Sequence, residues 1–181
     1  MLTIAITLPN AICGETALIG RLLAQSVDII HLRKPDADID YCREILEQLT
    51  DAQRHRIVIH NHYELYEEYG LRGVHLNSHI THLPHNYRGS RTRSCHSFEE
   101  VTRYKEGCDY LFLSPIFDSI SKSGYRSAFT DEALQSASDR GIIDHRVIAL
   151  GGVTPEKREY LKSLNFGGMA MSGALFGNLP L

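Results

Sequence analysis

The segment RVIALGGVTPE (residues 146–156) reads as an apolar strand, a glycine pair and a helix start, and GMAMSGALF (168–176) repeats the plan. Thr154 supplies a capping hydroxyl and Pro155 a first helical residue whose missing N–H costs nothing there. Further strands are expected at LTIAITL (2–8), DIIHLR (28–33), RIVIHN (56–61), GVHLN (73–77), RTRSCH (91–96) and DYLFLS (109–114), making eight. Amphipathic helices alternate with them, and Thr130 and Ser97 precede acidic first turns that complement a helix dipole. Eight strands with helical crossovers form either an open doubly wound sheet or a closed barrel. An open dinucleotide sheet carries its glycines after strand one, where this chain has Pro9-Asn10. Here they sit after strands seven and eight, where barrels bind phosphate. The fold expected is a minimal (β/α)8 TIM barrel, with residues 1–181 as one domain.

Such barrels usually run to about 200 residues or more, and only nine residues follow Ser172. The last outer helix is therefore expected to be missing or truncated, leaving Met169, Met171, Leu175 and Phe176 on an open flank that a homodimer would cover. A net charge of −3, from 19 basic and 22 acidic residues, argues against nucleic acid or an anionic membrane as partner. The N-terminus has no basic signal region and no apolar run is long enough to span a bilayer, so a cytoplasmic protein is expected. Cys13, Cys42, Cys95 and Cys108 show no CxxC pairing and read as reduced thiols.

In this architecture chemistry collects at the C-terminal ends of the strands. Period-two alternation puts Ile29, His31 and Arg33 on one face, aiming histidine and arginine at the barrel mouth. An arginine and a lysine at a strand end, taken alone, are as often a solvated terminus, the blander reading of Arg33 and Lys34. Strand three ends in Asn61-His62, strand four in His75-Leu76-Asn77, and strand five in Ser94-Cys95-His96, where Ser94 could orient the imidazole or touch substrate. After strand six, Ser119, Ser121 and Lys122 suit an anion-binding lid. Gly151, Gly152, Val153, Ser172 and Gly173 could offer backbone N–H groups to a phosphate. The ten histidines, including His60-x-His62 and His75, lack the spacing of a zinc site, so no metal site is assigned.

Together IIHLR (29–33), RSCHSFEEV (93–101), CDYLFLSPIF with SISKSGY (108–125), VIALGGVTPE (147–156) and MAMSGALF (169–176) resemble the thiamine phosphate synthase/thiazole tautomerase superfamily over nearly the whole chain. The resemblance implies one of two chemistries. Synthases join a pyrimidine pyrophosphate to the thiazole phosphate using Mg²⁺, whereas tautomerases aromatise the thiazole phosphate carboxylate by moving a proton without metal. Synthases usually carry glutamine at His31, a basic residue at Pro35, Asn-Asp at Asn61-His62, and an aspartate shortly after strand four. This chain lacks both magnesium carboxylates at those positions.

The resemblance therefore leans toward the tautomerase branch, with no cofactor, His96 as base and His31 as a possible second proton carrier. Arg33 and Lys122 would meet the carboxylate or phosphate of a small thiazole phosphate substrate. A Mg²⁺-dependent synthase recruiting ligands such as Asp118 is the alternative, and a non-catalytic phosphate-binding barrel a further one.

Overall fold

The computed structural model describes residues 1–77, 83, 86–118 and 129–176. Eight parallel strands close into a barrel in chain order: β1 (Leu2–Ile6), β2 (Ile29–Leu32), β3 (Ile57–Ile59), β4 (Gly73–Leu76), β5 (Ser90–Cys95), β6 (Tyr110–Leu113), β7 (Val147–Ala149) and β8 (Gly168–Met171). Closure comes from β1 pairing with β8 at Leu2↔Gly168 through Ala5↔Met171, while Ile6 stands level with His31 on β2. Seven of the eight strands fall within the expected runs and β5 starts one residue before its run, at Ser90; β1 to β6 each end one or two residues early.

Outside the barrel lie α1 (Glu15–Gln25), α2 (Ile39–Glu47), α3 (Asp51–Arg54), α4 (Leu65–Tyr69), α5 (Phe98–Tyr104), α6 (Asp131–Asp139), α7 (Arg158–Ser163) and α8 (Gly173–Phe176). Ser97 caps α5 by accepting from the Glu100 amide, and Thr130 caps α6 by accepting from Ala133. Thr154 instead opens a 3-10 turn at Pro155–Lys157 and makes no side-chain cap bond. The sequence reading missed α3, which Thr50 and Gln53 start with a reciprocal capping box.

Strand side chains alternate between two environments. Ile4, Ile6, Ile29, Val58, Tyr110, Phe112, Ile148 and Ala170 fill the barrel interior. Outward residues pack beneath the helices in two clusters, one around α1, α2 and α4 and another around α5, α6 and α7. The expected open flank is closed within one chain. Met169 and Met171 are buried with Leu161 and Leu164, and the short α8 turns Phe176, 1 % exposed, into the α1–α2 cluster. The apolar residues offered as the reason for a dimer are thus covered, and Leu175 is half-buried. Met1 is the exposed large apolar residue among those described.

Lys34 is not solvated, contrary to the blander reading. Its Nζ pairs with Glu15 Oε1 at 2.7 Å, and donates to the carbonyls of Leu8 (2.8 Å) and Asn10 (2.7 Å). Tyr41 completes the group by donating to Glu15 Oε2 at 2.8 Å while accepting from the Ile12 amide. This buried cluster fixes the β1–α1 loop against β2.

Candidate active site

A cavity of about 490 Å³ opens at the C-terminal end of the barrel, lined among others by Arg33, His60, His75, Arg93, Ser94 and His96. Arg33 reaches it from just past β2 with its guanidinium exposed, as alternation from Ile29 requires. Arg93 comes from β5 and lies over the Tyr104 ring, 4.1 Å from its centroid. Neither guanidinium pairs with a carboxylate among the described residues. Two uncompensated cations at one cavity suit an anionic ligand.

His96 follows β5. Its backbone amide donates to Glu100 Oε2 at 2.6 Å, and its Nδ1 lies 3.0 Å from the Ser114 carbonyl. A carbonyl can only accept, so Nδ1 carries a proton, and the lone pair of an unprotonated ring is on Nε2. Ser114 thus orients the imidazole, a role the sequence reading considered for Ser94. Ser94 instead bonds His75 Nε2 at 3.1 Å.

His31 also departs from its expected place. It lies on the interior face but one layer below the mouth, 0 % exposed, with Nδ1 2.9 Å from His60 Nε2 and Nε2 2.7 Å from the Tyr110 hydroxyl. Arg33, two residues on, occupies the mouth and leaves His31 no contact with the cavity. His60 and His75, left unassigned by the sequence reading, are the histidines that line it with His96. Alternation from Val58 would have placed His60 inside the barrel.

The three interior histidines are held neutral. Burial pushes His31 and His60 well below the usual histidine range, and neighbouring positive potential adds to the effect. Burial, reinforced by Arg93 and Arg33, brings His75 down to about 3. One nitrogen from each lies within 4.8 Å of the others, the spacing of a metal-binding group. The His60 and His75 rings, however, stack almost parallel at 13° with centroids 4.1 Å apart, so their in-plane lone pairs do not converge on one point. His75 is also tied by both nitrogens, Nδ1 lying 2.8 Å from Thr92 Oγ1.

The glycine loops lie at the same barrel end but do not line this cavity among the described residues. Gly151 (φ 92°) and Gly152 (φ 61°) adopt the left-handed conformation. A Cβ on Gly152 would stand 2.4 Å from the Asp118 carbonyl oxygen, so the loops after β6 and β7 are in close contact. The amides of Gly152, Val153 and Ser172 donate to no protein acceptor among the described residues. Gly173 begins α8. Asn61 is half-buried at the end of β3 without lining the cavity, and Ser119, Ser121 and Lys122 lie outside the described residues.

The family model described as thiamine monophosphate synthase matches residues 5–175. The chain is similar to the structure of thiamine phosphate pyrophosphorylase from Bacteroides thetaiotaomicron, with a TM-score of 0.90, 37% identity, and coverage of 99% of this chain and 87% of that one. A thiamine phosphate pyrophosphorylase from Pyrococcus furiosus shares the fold, with a TM-score of 0.70 at 18% identity, covering 96% of this chain and 86% of that one. A 3-hexulose-6-phosphate synthase likewise shares the barrel, with a TM-score of 0.57 at 17% identity over 97% of this chain and 91% of that one. No match was found among the curated proteins. No helix among the described residues is long and apolar enough to cross a membrane.

Proposed function

This chain belongs to the thiamine monophosphate synthase family, and from that footing we propose that it aromatises a thiazole phosphate carboxylate by proton transfer, with His96 as the base. The observation that carries this reading is the orientation of His96, whose Nδ1–H is committed to the Ser114 carbonyl. Its Nε2 is thereby left as a base in a ring that lines the cavity. In the first step the C–H bond at C2 of the non-aromatic ring breaks and an N–H bond forms at His96 Nε2. The imidazolium then returns a proton to the exocyclic carbon, restoring His96 and leaving an aromatic ring. Arg33 and Arg93 meet the carboxylate, and the amides of Gly152, Val153, Ser172 and Gly173 receive the phosphate.

Magnesium does not fit the described part of this cavity. Mg²⁺ takes oxygen ligands in octahedral geometry and favours carboxylates, whereas the described walls offer imidazoles, guanidiniums, the Asn77 amide and the Ser94 hydroxyl, and their one carboxylate, Glu100, accepts from the His96 amide. His62, at the position of a synthase aspartate, has its Nε2 3.1 Å from the Ala37 carbonyl. The steps above therefore use protein groups alone.

The synthase reading has its own support in the name of the 37% identical Bacteroides thetaiotaomicron protein. Purified protein should be assayed on the non-aromatic thiazole phosphate carboxylate, then on the aromatic thiazole phosphate with the pyrimidine pyrophosphate and Mg²⁺. Aromatisation in EDTA supports proton transfer; pyrophosphate release that requires Mg²⁺ overturns it in favour of the synthase.

A further inference from the structure

The protons of the interior histidine chain can be followed from its buried end. The Tyr110 hydroxyl has one partner among the described residues, His31 Nε2 at 2.7 Å. A buried hydroxyl with no other acceptor donates there. His31 is neutral, so with Nε2 accepting, its single proton sits on Nδ1 and is donated to His60 Nε2 at 2.9 Å. His60 is neutral in turn, which leaves its own proton on Nδ1. That nitrogen bonds no protein group among the described residues, is not sealed from solvent, and belongs to a ring on the cavity wall. His75 differs, because both its nitrogens meet hydroxyls that can donate or accept.

We propose that His60 presents a fixed Nδ1–H donor to the substrate, its tautomer set by Tyr110 acting through His31. Resting on the proton-transfer reading above, the donor meets a carboxylate or ring acceptor atom that gains negative charge as His96 removes the proton. No proton leaves His60 in the step. His31 and Tyr110 are positioning residues, and His60 touches substrate. A neutral, fixed donor on the cavity wall suits this task, since it stabilises charge that appears only during reaction.

Protein labelled with ¹⁵N-histidine and examined by long-range ¹H–¹⁵N correlation at neutral pH tests the tautomer, His60 being assigned by its loss in His60→Leu. The expected result is the Nδ1–H form in the wild type and a mixture of forms in Tyr110→Phe. An Nε2–H form in the wild type, or a Tyr110→Phe spectrum identical to wild type at His60, overturns the chain. In turnover, His60→Leu should lose about 10²- to 10³-fold in kcat. His60→Gln, which keeps an N–H donor, should recover much of that. An unchanged kcat in His60→Leu overturns the donor role. The Nδ1–H tautomer together with no aromatisation by the wild type supports the hydrogen-bond chain and overturns the proton-transfer reading instead.

Discussion

Acidification from about pH 7.5 to about pH 5 should destabilise this fold far more than its carboxylates alone would require. His31, His60 and His75 have folded pKa values below the ordinary 6.5, with His75 at about 3. Between the lowered folded value and 6.5 the unfolded chain binds protons that the folded chain refuses, so stability falls as pH drops through 6.5. For a histidine with an unfolded pKa of 6.5, protonation of the unfolded state at pH 5 costs the fold about 2 kcal/mol, and the three together about 6 kcal/mol. That is comparable to the whole stability of many domains, about 5–15 kcal/mol. Urea unfolding followed by circular dichroism at several pH values gives the slope directly, which should approach three protons near pH 5, about 4 kcal/mol per pH unit. His75→Gln should reduce the slope by about a third. A stability that is flat between pH 7 and pH 5 would refute the neutral interior layer.

His96→Ala should lower kcat by about 10²- to 10⁴-fold with little change in affinity for the product, measured by steady-state kinetics and calorimetry. EDTA should leave aromatisation unchanged and added Mg²⁺ should not raise it, as checked in the same assay. Lys34→Met strands the Glu15 carboxylate in the protein interior and should cost about 3–5 kcal/mol in chemical denaturation. Adding Glu15→Gln should restore part of that loss, and equal stability of Lys34→Met and wild type would show that the pair is unimportant.

The barrel was legible because seven of the strands are short, largely apolar runs bounded by polar turns, with the polar β5 (Ser90–Cys95) completing the alternation, and the placement of Gly151-Gly152 decides between open and closed sheets. Alternation from Ile29 puts His31 and Arg33 on one inward face and aims both at the mouth, yet only Arg33 reaches it; depth depends on the register with β1 and β3, which alternation does not give. His60 and His75 were visible as residues yet not as a pair. Their stacking requires β3 and β4 to be neighbours and the rings to meet across the interior, which linear spacing does not encode. The burial of Lys34 was invisible for a similar reason, because its partners are a carboxylate on α1 and two carbonyls of the preceding loop. The covering of the flank was misread because a single turn, α8, turns Phe176 inward where a full helix was thought necessary.

The contact at Gly152 makes residues 116–118, just after β6, and the glycine turn after β7 a single mechanical part. The Ile116 amide donates to Leu150 and the Phe117 amide to Gly151, carrying the sheet ladder beyond the ends of both strands. Gly152 then seats against the backbone of Phe117 and Asp118 at a distance that admits no side chain. A graft that replaces residues 116–118 must bring the turn at Gly151-Gly152 with it, because the two are shaped against each other. A library that varies residues 116–118 alone is therefore searching shapes that the unmoved turn at Gly152 rejects.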